Sequence, residues 1–258
     1  MTSLPQSLAF DFDGVLCNGL REYFATAWSV YQQFWGGDPA LEDLEQRFYR
    51  LRPVVEVGWE MPLVLRAVQR GMSDAEIFAQ WPAVRDRLVA QEHLHPAELG
   101  QAVDRTRDRW IQSDLEGWLD HHEFYPGIVP RLRQCLAEAM PVVIITTKES
   151  RFVQQLLIRE GINLDGGIFG KDCQRPKPDT LKQLQLPQPI WFIEDRLAAL
   201  RAVQDTPELH HVALFLATWG YNRPQDHALA NQAPIHPLSL SQFSQPFLNW
   251  LSPAKSVP

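Results

Sequence analysis

The later part of the chain alternates short apolar runs with stretches whose apolar residues recur at helical spacing, and this alternation constrains the fold more than any other feature. The apolar runs lie at residues 141–146, 167–169, 190–193 and 212–216, and the helical patterns lie at residues 128–139, 150–160, after 178 and at 197–203. Strands that alternate with helices form parallel sheets with helices on both faces. With an earlier apolar run, Ser7–Phe10, the sequence predicts a doubly wound, Rossmann-like α/β sheet, on which a last helix at residues 241–251 docks.

A long block without any strand pattern separates the first predicted strand from the others. Its helical patterns lie at residues 22–34, 41–51, 61–70, 74–93 and 96–119. One of them begins with the capping-box pattern Ser73-Asp74-Ala75-Glu76. Because the block interrupts the α/β alternation, we expect an inserted all-helical cap domain at residues 17–123. The α/β core is then discontinuous, at residues 1–16 and 124–258.

The composition narrows the class of protein. The 9 Trp and 13 Phe argue against disorder, and the net charge of −7 is unfavourable for general nucleic-acid binding. Cys17, Cys135 and Cys173 lack metal-ligand spacing, so we expect reduced thiols. No apolar stretch approaches the roughly 20 residues of a membrane span. We therefore expect a cytoplasmic protein without nucleic-acid or membrane partners, and the sequence leaves its oligomeric state open.

Polar side chains with catalytic chemistry lie where the predicted strands end. They are Asp11, Asp13, Thr146, Lys177, Glu194 and Asp195. Ligand sites of open α/β sheets lie in the crevice at the carboxyl ends of the strands. We therefore expect these residues, far apart in sequence, to converge on one crevice.

Four short segments resemble, in order, the four motifs of the haloacid dehalogenase-like hydrolases. Asp11-Phe12-Asp13-Gly14-Val15 is similar to the first, Ile144-Ile145-Thr146-Thr147-Lys148 to the second, Lys177-Pro178 to the third and Ile193-Glu194-Asp195 to the fourth. The helical insertion after the first motif resembles the C1-type cap of subfamily I, which includes phosphoglycolate phosphatases and beta-phosphoglucomutases. The resemblance covers about residues 7–220 and implies hydrolysis of a small phosphate monoester.

The chemistry of phosphoryl transfer assigns roles to these residues. The Asp11 carboxylate can attack phosphorus and form an aspartyl-phosphate. Asp13 can protonate the leaving alkoxide and then deprotonate the water that resolves the intermediate. Thr146 ends a strand just before a helix, so its hydroxyl and the following amides, beginning at Thr147, form an anion site. Lys177 supplies a compact positive charge beside Asp11 and the phosphate.

A magnesium ion is the cofactor that the resemblance implies. Mg²⁺ prefers oxygen ligands in octahedral geometry and keeps several waters. The side chains of Asp11 and Asp195 and the backbone carbonyl of Asp13 are the expected protein ligands. Glu194 is expected to bind the ion directly or through water.

Two further residues are expected to contact the substrate. Arg52 lies in an arginine-rich turn between two predicted cap helices, where Pro53 favours an extended conformation for it. Its guanidinium is suited to a second anionic group of the substrate, and an ordinary solvated position is the alternative. Asn18 stands in the linker where relatives often carry an acid or Ser.

Three assignments stay open or depart from the family pattern. Arg175 is an alternative to Lys177 as the motif cation. Lys148 is expected to be a surface lysine at a helix start. Ala199 stands where many members carry a second Asp. The stretch from Glu194 to Ala199 resembles instead the variant with Glu-Asp and a small residue that is seen among sugar-phosphate phosphatases and beta-phosphoglucomutases.

Single residues argue against two other activities of the superfamily. Asp13 argues against a dehalogenase, which needs no acid for an alkoxide. A phosphonatase needs a cap lysine, whereas the first lysine of this chain is Lys148, beyond the predicted cap. A sugar phosphomutase with the same nucleophile and a catalytically silent binding protein on this scaffold remain as alternatives. The favoured function is a magnesium-dependent phosphatase whose substrate the sequence does not identify.

Overall fold

A computed structural model describes residues 4–37, 43–231 and 234–251 of the chain. The chain divides into two compact units, one formed by Met1–Asn18 with Glu123–Pro258 and the other by Gly19–His122. We call them the core unit and the helical unit. The predicted cap bounds of 17 and 123 fall on residues of the core unit, because Cys17–Asn18 and Glu123–Phe124 pair as a two-stranded ribbon.

All the strands of the described residues belong to the core unit. They are β1 (Ser7–Phe10), β2 (Cys17–Asn18), β3 (Glu123–Phe124), β4 (Val142–Ile145), β5 (Ile168–Phe169), β6 (Ile190–Glu194), β7 (Ala213–Ala217) and β8 (Ile235–Leu238). The α-helices of the helical unit are α1 (Leu20–Trp35), α2 (Leu44–Leu51), α3 (Met61–Gln69), α4 (Asp74–Gln91), α5 (Pro96–Ser113) and α6 (Leu115–Leu119). Those of the core unit are α7 (Ile128–Ala137), α8 (Ser150–Arg159), α9 (Lys177–Gln183), α10 (Leu197–Gln204), α11 (Pro224–Ala230) and α12 (Leu240–Phe243).

Six of the strands form one parallel sheet in the order β5-β4-β1-β6-β7-β8. The central strand β1 places Phe10 opposite Ile144 of β4 on one side and opposite Ile193 of β6 on the other. The prediction of a Rossmann-like, doubly wound α/β core is therefore confirmed. The chain order reverses at β1, which is the topological switch point where such sheets bind ligands.

The two faces of the sheet carry different kinds of apolar side chain. One face packs aliphatic side chains of α9 and α10 against alternate strand residues such as Phe192 and Leu214. The opposite face carries the buried aromatic rings of Trp191 and Phe215. Alternation along each strand places consecutive residues on opposite faces, so a fully buried parallel strand must be apolar throughout.

The end of the described chain covers the aromatic face. Trp250 packs with Trp191, Phe215, Phe243 and Phe247, with ring centroids 4.9 to 5.9 Å apart. The predicted single helix at 241–251 is wrong: α12 ends at Phe243, and a separate 3₁₀ helix spans Phe247–Leu251. Pro246 lies between them and cannot donate a backbone hydrogen bond inside a continuous helix.

The helical unit contains α1 to α6, inserted between β2 and β3 of the core unit. Ser73 caps α4 by accepting a hydrogen bond from the Glu76 N–H. The predicted helix at 96–119 is two helices, because the Asp114 side chain caps a new one by accepting from the Gly117 N–H. Residues 41 and 42 of another predicted helix lie outside the described residues. None of the helices in the described ranges has the length and hydropathy to cross a membrane.

Trp250→Ala should lower the free energy of unfolding by about 3–5 kcal/mol, because it empties a buried ring position on the sheet. Leu248→Ala is the matched control from the same 3₁₀ helix, since its side chain is 67% exposed, and it should change that energy by no more than about 0.5 kcal/mol. Denaturant unfolding of both variants measures the difference. If Trp250→Ala lowered the free energy of unfolding as little as Leu248→Ala does, the aromatic face would not depend on this segment.

Candidate active site

The carboxyl end of the central strand carries an acidic cluster. Asp11 directly follows β1, and its N–H donates to the Ile193 carbonyl of neighbouring β6 at 2.9 Å. Glu194 ends β6 and Asp195 follows it. The three carboxylates each offer an oxygen within 4.8 Å of the others, and all three residues are buried. Adjacent parallel strands thus bring together acids that lie more than 180 residues apart in sequence.

One lysine neutralises part of this charge. Lys177 begins α9, whose first turn is stabilised by Pro178, and its Nζ lies 2.8 Å from Asp11 Oδ1 and 2.6 Å from Glu194 Oε2. Only 15% of the Lys177 side chain is exposed. Arg175, the alternative cation, has an exposed side chain. Of the two candidates, Lys177 is therefore the one that lies in the acidic cluster.

Both carboxylate oxygens of Glu194 accept hydrogen bonds. Oε2 accepts from the Lys177 ammonium, and Oε1 accepts from the N–H groups of Asp195 at 3.1 Å and Arg196 at 3.0 Å. These bonds fix the turn that follows β6. A direct bond from Glu194 to a metal would have to use its remaining lone pairs.

Asp195 accepts hydrogen bonds from the loop after β7, and two glycines lie close against it. Its Oδ2 accepts from the Tyr221 N–H at 2.6 Å, and its carbonyl accepts from Asn222 Nδ2 at 3.0 Å. A Cβ at Gly14, where φ is +87°, would lie 2.1 Å from Asp195 Oδ2. A Cβ at Gly220 would lie 2.3 Å from Asp195 Cβ. Both positions therefore need glycine for close approach to this carboxylate.

Sequence reasoning did not identify the loop after β7 as part of the site. Its signal is the run Thr218-Trp219-Gly220-Tyr221 directly after an apolar strand, at the same edge of the sheet as the acids. The Trp219 Nε1–H also donates to the Val15 carbonyl in the loop after β1, at 3.0 Å. The loop thus ties the residues that follow β1 to those that follow β6.

Thr146 and Lys148 follow β4 on the other side of β1. Thr146 is buried, and its Oγ1 accepts from the Lys148 N–H at 3.2 Å, whereas Thr147 is exposed. The expectation of a surface lysine at 148 is wrong. Its side chain is 6% exposed, and its Nζ donates to Asp13 Oδ1 at 3.1 Å. Lys148 precedes α8, which begins at Ser150, so it is a loop residue directed inward rather than part of a helix surface.

The two remaining predicted substrate contacts lie in different units. Asn18 ends β2 of the core unit, and its Oδ1 accepts from the Tyr221 hydroxyl at 3.2 Å. Arg52 belongs to the helical unit, where its guanidinium carbon lies 4.9 Å from the centre of the Tyr23 ring and its Nη1 donates to the Val55 carbonyl at 3.1 Å.

The extended conformation expected for Arg52 is wrong. Its φ of −48° and ψ of −36° are helical, and it begins a 3₁₀ helix, Arg52–Val54. The Val55 N–H donates to the Arg52 carbonyl at 3.1 Å, which stabilises a turn that the following proline disfavours.

Burial and mutual repulsion set the protonation of the cluster. Burial, and then the charge of Glu194, raise the pKa of Asp11 to about 7 although Lys177 opposes the shift. Burial, followed by repulsion from Glu194 and Asp11, also raises the pKa of Asp195. Burial alone would lower the pKa of Lys177, but the two carboxylates raise it above its ordinary value.

The donor chemistry of this cluster fits a hard divalent cation. Three buried carboxylates face one ammonium, so negative charge is in excess, and all the clustered donors are oxygens. Asp11 and Asp195 are the carboxylates best able to hold Mg²⁺, with Glu194 beside them. The site therefore combines three clustered carboxylates with one ammonium, and its donor set suits a hard divalent cation.

Comparisons with known proteins agree with this architecture. The family model "haloacid dehalogenase-like hydrolase" matches residues 6–205. A search of curated proteins finds no match.

Solved structures with the same fold share little sequence with the chain. A predicted phosphatase from Clostridium acetobutylicum is 16% identical, with a TM-score of 0.59, covering 95% of this chain and 99% of that one. A predicted phosphoglycolate phosphatase from Haemophilus somnus is 16% identical, with a TM-score of 0.57, covering 86% and 89%. A haloacid dehalogenase-like family hydrolase from Streptococcus pneumoniae is 18% identical, with a TM-score of 0.56, covering 93% and 95%. Because the family model matches most of this chain, the chain belongs to the haloacid dehalogenase-like hydrolases.

Proposed function

We propose that this protein is a magnesium-dependent phosphatase that hydrolyses a small phosphate monoester through an aspartyl-phosphate on Asp11. The observation that carries the proposal is the buried Asp11 carboxylate at the end of the central strand, with the Lys177 ammonium 2.8 Å away and Asp195 beside it. A carboxylate in this position is a nucleophile next to positive charge, which phosphoryl transfer requires. The names of two structural neighbours, a phosphatase and a phosphoglycolate phosphatase, support the same reaction class.

Asp11 and Lys177 act together in this mechanism. An Asp11 oxygen attacks phosphorus in line with the leaving oxygen, and the Lys177 ammonium offsets the charge of the attacking carboxylate and of the phosphoryl oxygens. Glu194 holds Lys177 in place through its bond at 2.6 Å. Thr146 binds phosphoryl oxygens through its hydroxyl, together with backbone N–H groups beginning at the exposed residue Thr147.

Asp13 supplies the proton chemistry. It lies two residues beyond the nucleophile, and its side chain is 13% exposed, so it remains accessible to a reacting group. As a general acid it protonates the leaving alkoxide, and as a general base it then deprotonates the attacking water. This second acid favours a phosphatase over a dehalogenase.

Asp11, Asp195 and the backbone carbonyl of Asp13 would hold the magnesium ion, with Glu194 as a direct or water-mediated partner. The bound ion supplies charge neutralisation and orients the phosphate oxygens. The excess of negative charge in the buried cluster supports this assignment.

We also propose that Arg52 and Asn18 contact the part of the substrate that does not react. In the helical unit, Arg52 and Arg107 both lie against the Tyr23 ring, at 4.9 and 5.6 Å from its centre. The buried Glu22 carboxylate matches the charge of Arg107 with bonds of 2.7 and 3.1 Å. The planar guanidinium of Arg52 can form a bidentate pair with a second anionic group on the substrate.

Asp11→Asn should abolish phosphate release from a panel of phosphorylated metabolites with Mg²⁺, because the amide is isosteric but is not a nucleophile. The loss should reach several orders of magnitude, as for other covalent nucleophiles. Asp205→Asn changes an exposed acid of the same unit and should leave the rate unchanged. Mass spectrometry of acid-quenched wild type should find one added phosphoryl group on Asp11. Substantial activity in folded Asp11→Asn protein would refute the covalent mechanism.

Removing divalent cations with EDTA should stop the reaction, and added Mg²⁺ should restore it, because oxygen ligands suit this ion. Asp195→Asn should raise the Mg²⁺ concentration needed for half-maximal rate by about tenfold or more. The measurement is a Mg²⁺ titration of the rate for wild type, Asp195→Asn and Asp205→Asn. Full activity of metal-free wild type would count decisively against a metal-dependent mechanism.

Arg52→Ala should lower kcat/KM about 10²-fold for a substrate with a second anionic group, since each 1.36 kcal/mol is a factor of ten. It should hardly affect p-nitrophenyl phosphate, which lacks that group. Arg50→Ala is the matched control, because Arg50 is an exposed arginine two residues away whose partner is Asp74. Equal losses on both substrates would indicate damage to the helical unit, and no loss on either would show that Arg52 does not contact the substrate.

A further inference from the structure

Lys148 is a buried lysine that the proposed mechanism leaves without a role. Its ammonium donates to Asp13 Oδ1 at 3.1 Å, and the two side chains are 6% and 13% exposed. Lys177 already serves the acidic cluster through Asp11 and Glu194. The second ammonium is thus directed at the acid/base rather than at the nucleophile.

The backbone of Lys148 is held by two hydrogen bonds and by a close approach of the neighbouring loop. Its N–H donates to Thr146 Oγ1 at 3.2 Å, and its carbonyl accepts from the Lys171 N–H at 2.9 Å. A Cβ at Gly170 would lie 2.4 Å from that same carbonyl, so the two loops approach as closely as their backbones allow. A side chain that projects from a backbone fixed in this way reaches a defined position, which a positioning role requires.

We propose that Lys148 is a positioning residue that holds Oδ1 of Asp13, so that Oδ2 is the oxygen that exchanges a proton with the substrate. The inference rests on the proposed function and adds a residue to it. A carboxylate turns about its last side-chain torsion over a broad range, so a charged partner on one oxygen selects the orientation of the other.

The proton and the electrons balance in both half-reactions. In the first, an Asp11 oxygen bonds to phosphorus, the bond from phosphorus to the leaving oxygen breaks with its electron pair on that oxygen, and the Oδ2 proton of Asp13 moves to it. Asp13 is then a carboxylate paired with the Lys148 ammonium. In the second, water bonds to phosphorus and gives one proton to Oδ2, and the electron pair of the phosphorus–Asp11 bond returns to Asp11.

A comparison of kcat/KM for two esters with different leaving groups distinguishes this positioning role from a role in phosphate binding. Lys148→Met keeps the length of the side chain and removes its charge. For ethyl phosphate, whose alkoxide needs a proton to leave, kcat/KM should fall about 10²-fold, within the usual range for acid/base catalysis. For p-nitrophenyl phosphate, whose phenolate leaves without a proton, the loss should stay below about tenfold. Lys182→Met, a lysine exposed on α9, is the control and should change neither value.

Equal losses on the two esters would overturn the inference and assign Lys148 to phosphate binding, and no loss on either would also overturn it. Wild type that hydrolyses neither ester would overturn the proposed function and the inference with it. If Lys148→Met does not fold, as judged by thermal unfolding, Lys148→Gln is measured in the same way. Lys148→Arg, which keeps the charge, should recover most of the ethyl phosphate activity.

A double-mutant cycle gives a second, independent readout. In the Asp13→Asn background, Lys148→Met should cause no further loss on ethyl phosphate, because Lys148 acts through Asp13. Losses that multiply in the double variant would show that the two residues act separately and would contradict the inference.

Discussion

The ion pair between Lys177 and the carboxylates of Asp11 and Glu194 is the interaction on which the rest of the site depends. Burying a charge is costly unless it is paired and hydrogen-bonded, and here three buried acids lie together while the Lys177 ammonium pairs with only two of them, Asp11 and Glu194. The raised pKa values of Asp11 and Asp195 express that imbalance. The same imbalance is the electrostatic basis for proposing a divalent cation at this position, since an added positive charge offsets it.

The parallel sheet determines which groups surround that ion pair. Because β1 lies between β4 and β6, the loops that follow these three strands meet at one edge, and each contributes a polar group: Asp11, Thr146 and Asp195. The loop after β7 closes the arrangement by donating the Tyr221 N–H to Asp195. Gly220 permits the approach, since any side chain there would collide with that acid. The precision of the site thus comes from backbone proximity as much as from the functional side chains themselves.

Sequence reasoning succeeded where the signal is local and failed where the outcome depends on distant partners. The apolar runs predicted the strands that Asp11 and Asp195 directly follow, because a buried parallel strand is apolar on both faces. Lys148 was expected on the surface because its helix-start position is ordinarily solvated, whereas its partner Asp13 lies 135 residues earlier in the chain. Strand β8 was missed because Ile235–Leu238 is short and contains Pro237, which is tolerated at the edge of a sheet.

The sequence by itself determined the fold class through its alternating periodicity, and it indicated the family through the resemblance of four ordered segments to known motifs. Only the tertiary structure decided which cation lies beside Asp11, because Arg175 and Lys177 are two residues apart and both carry a positive charge. It also decided that both oxygens of Glu194 have protein partners and that Lys148 pairs with Asp13. Such pairings depend on how neighbouring strands and loops bring groups within about 3 Å of each other, a distance that local sequence patterns do not specify.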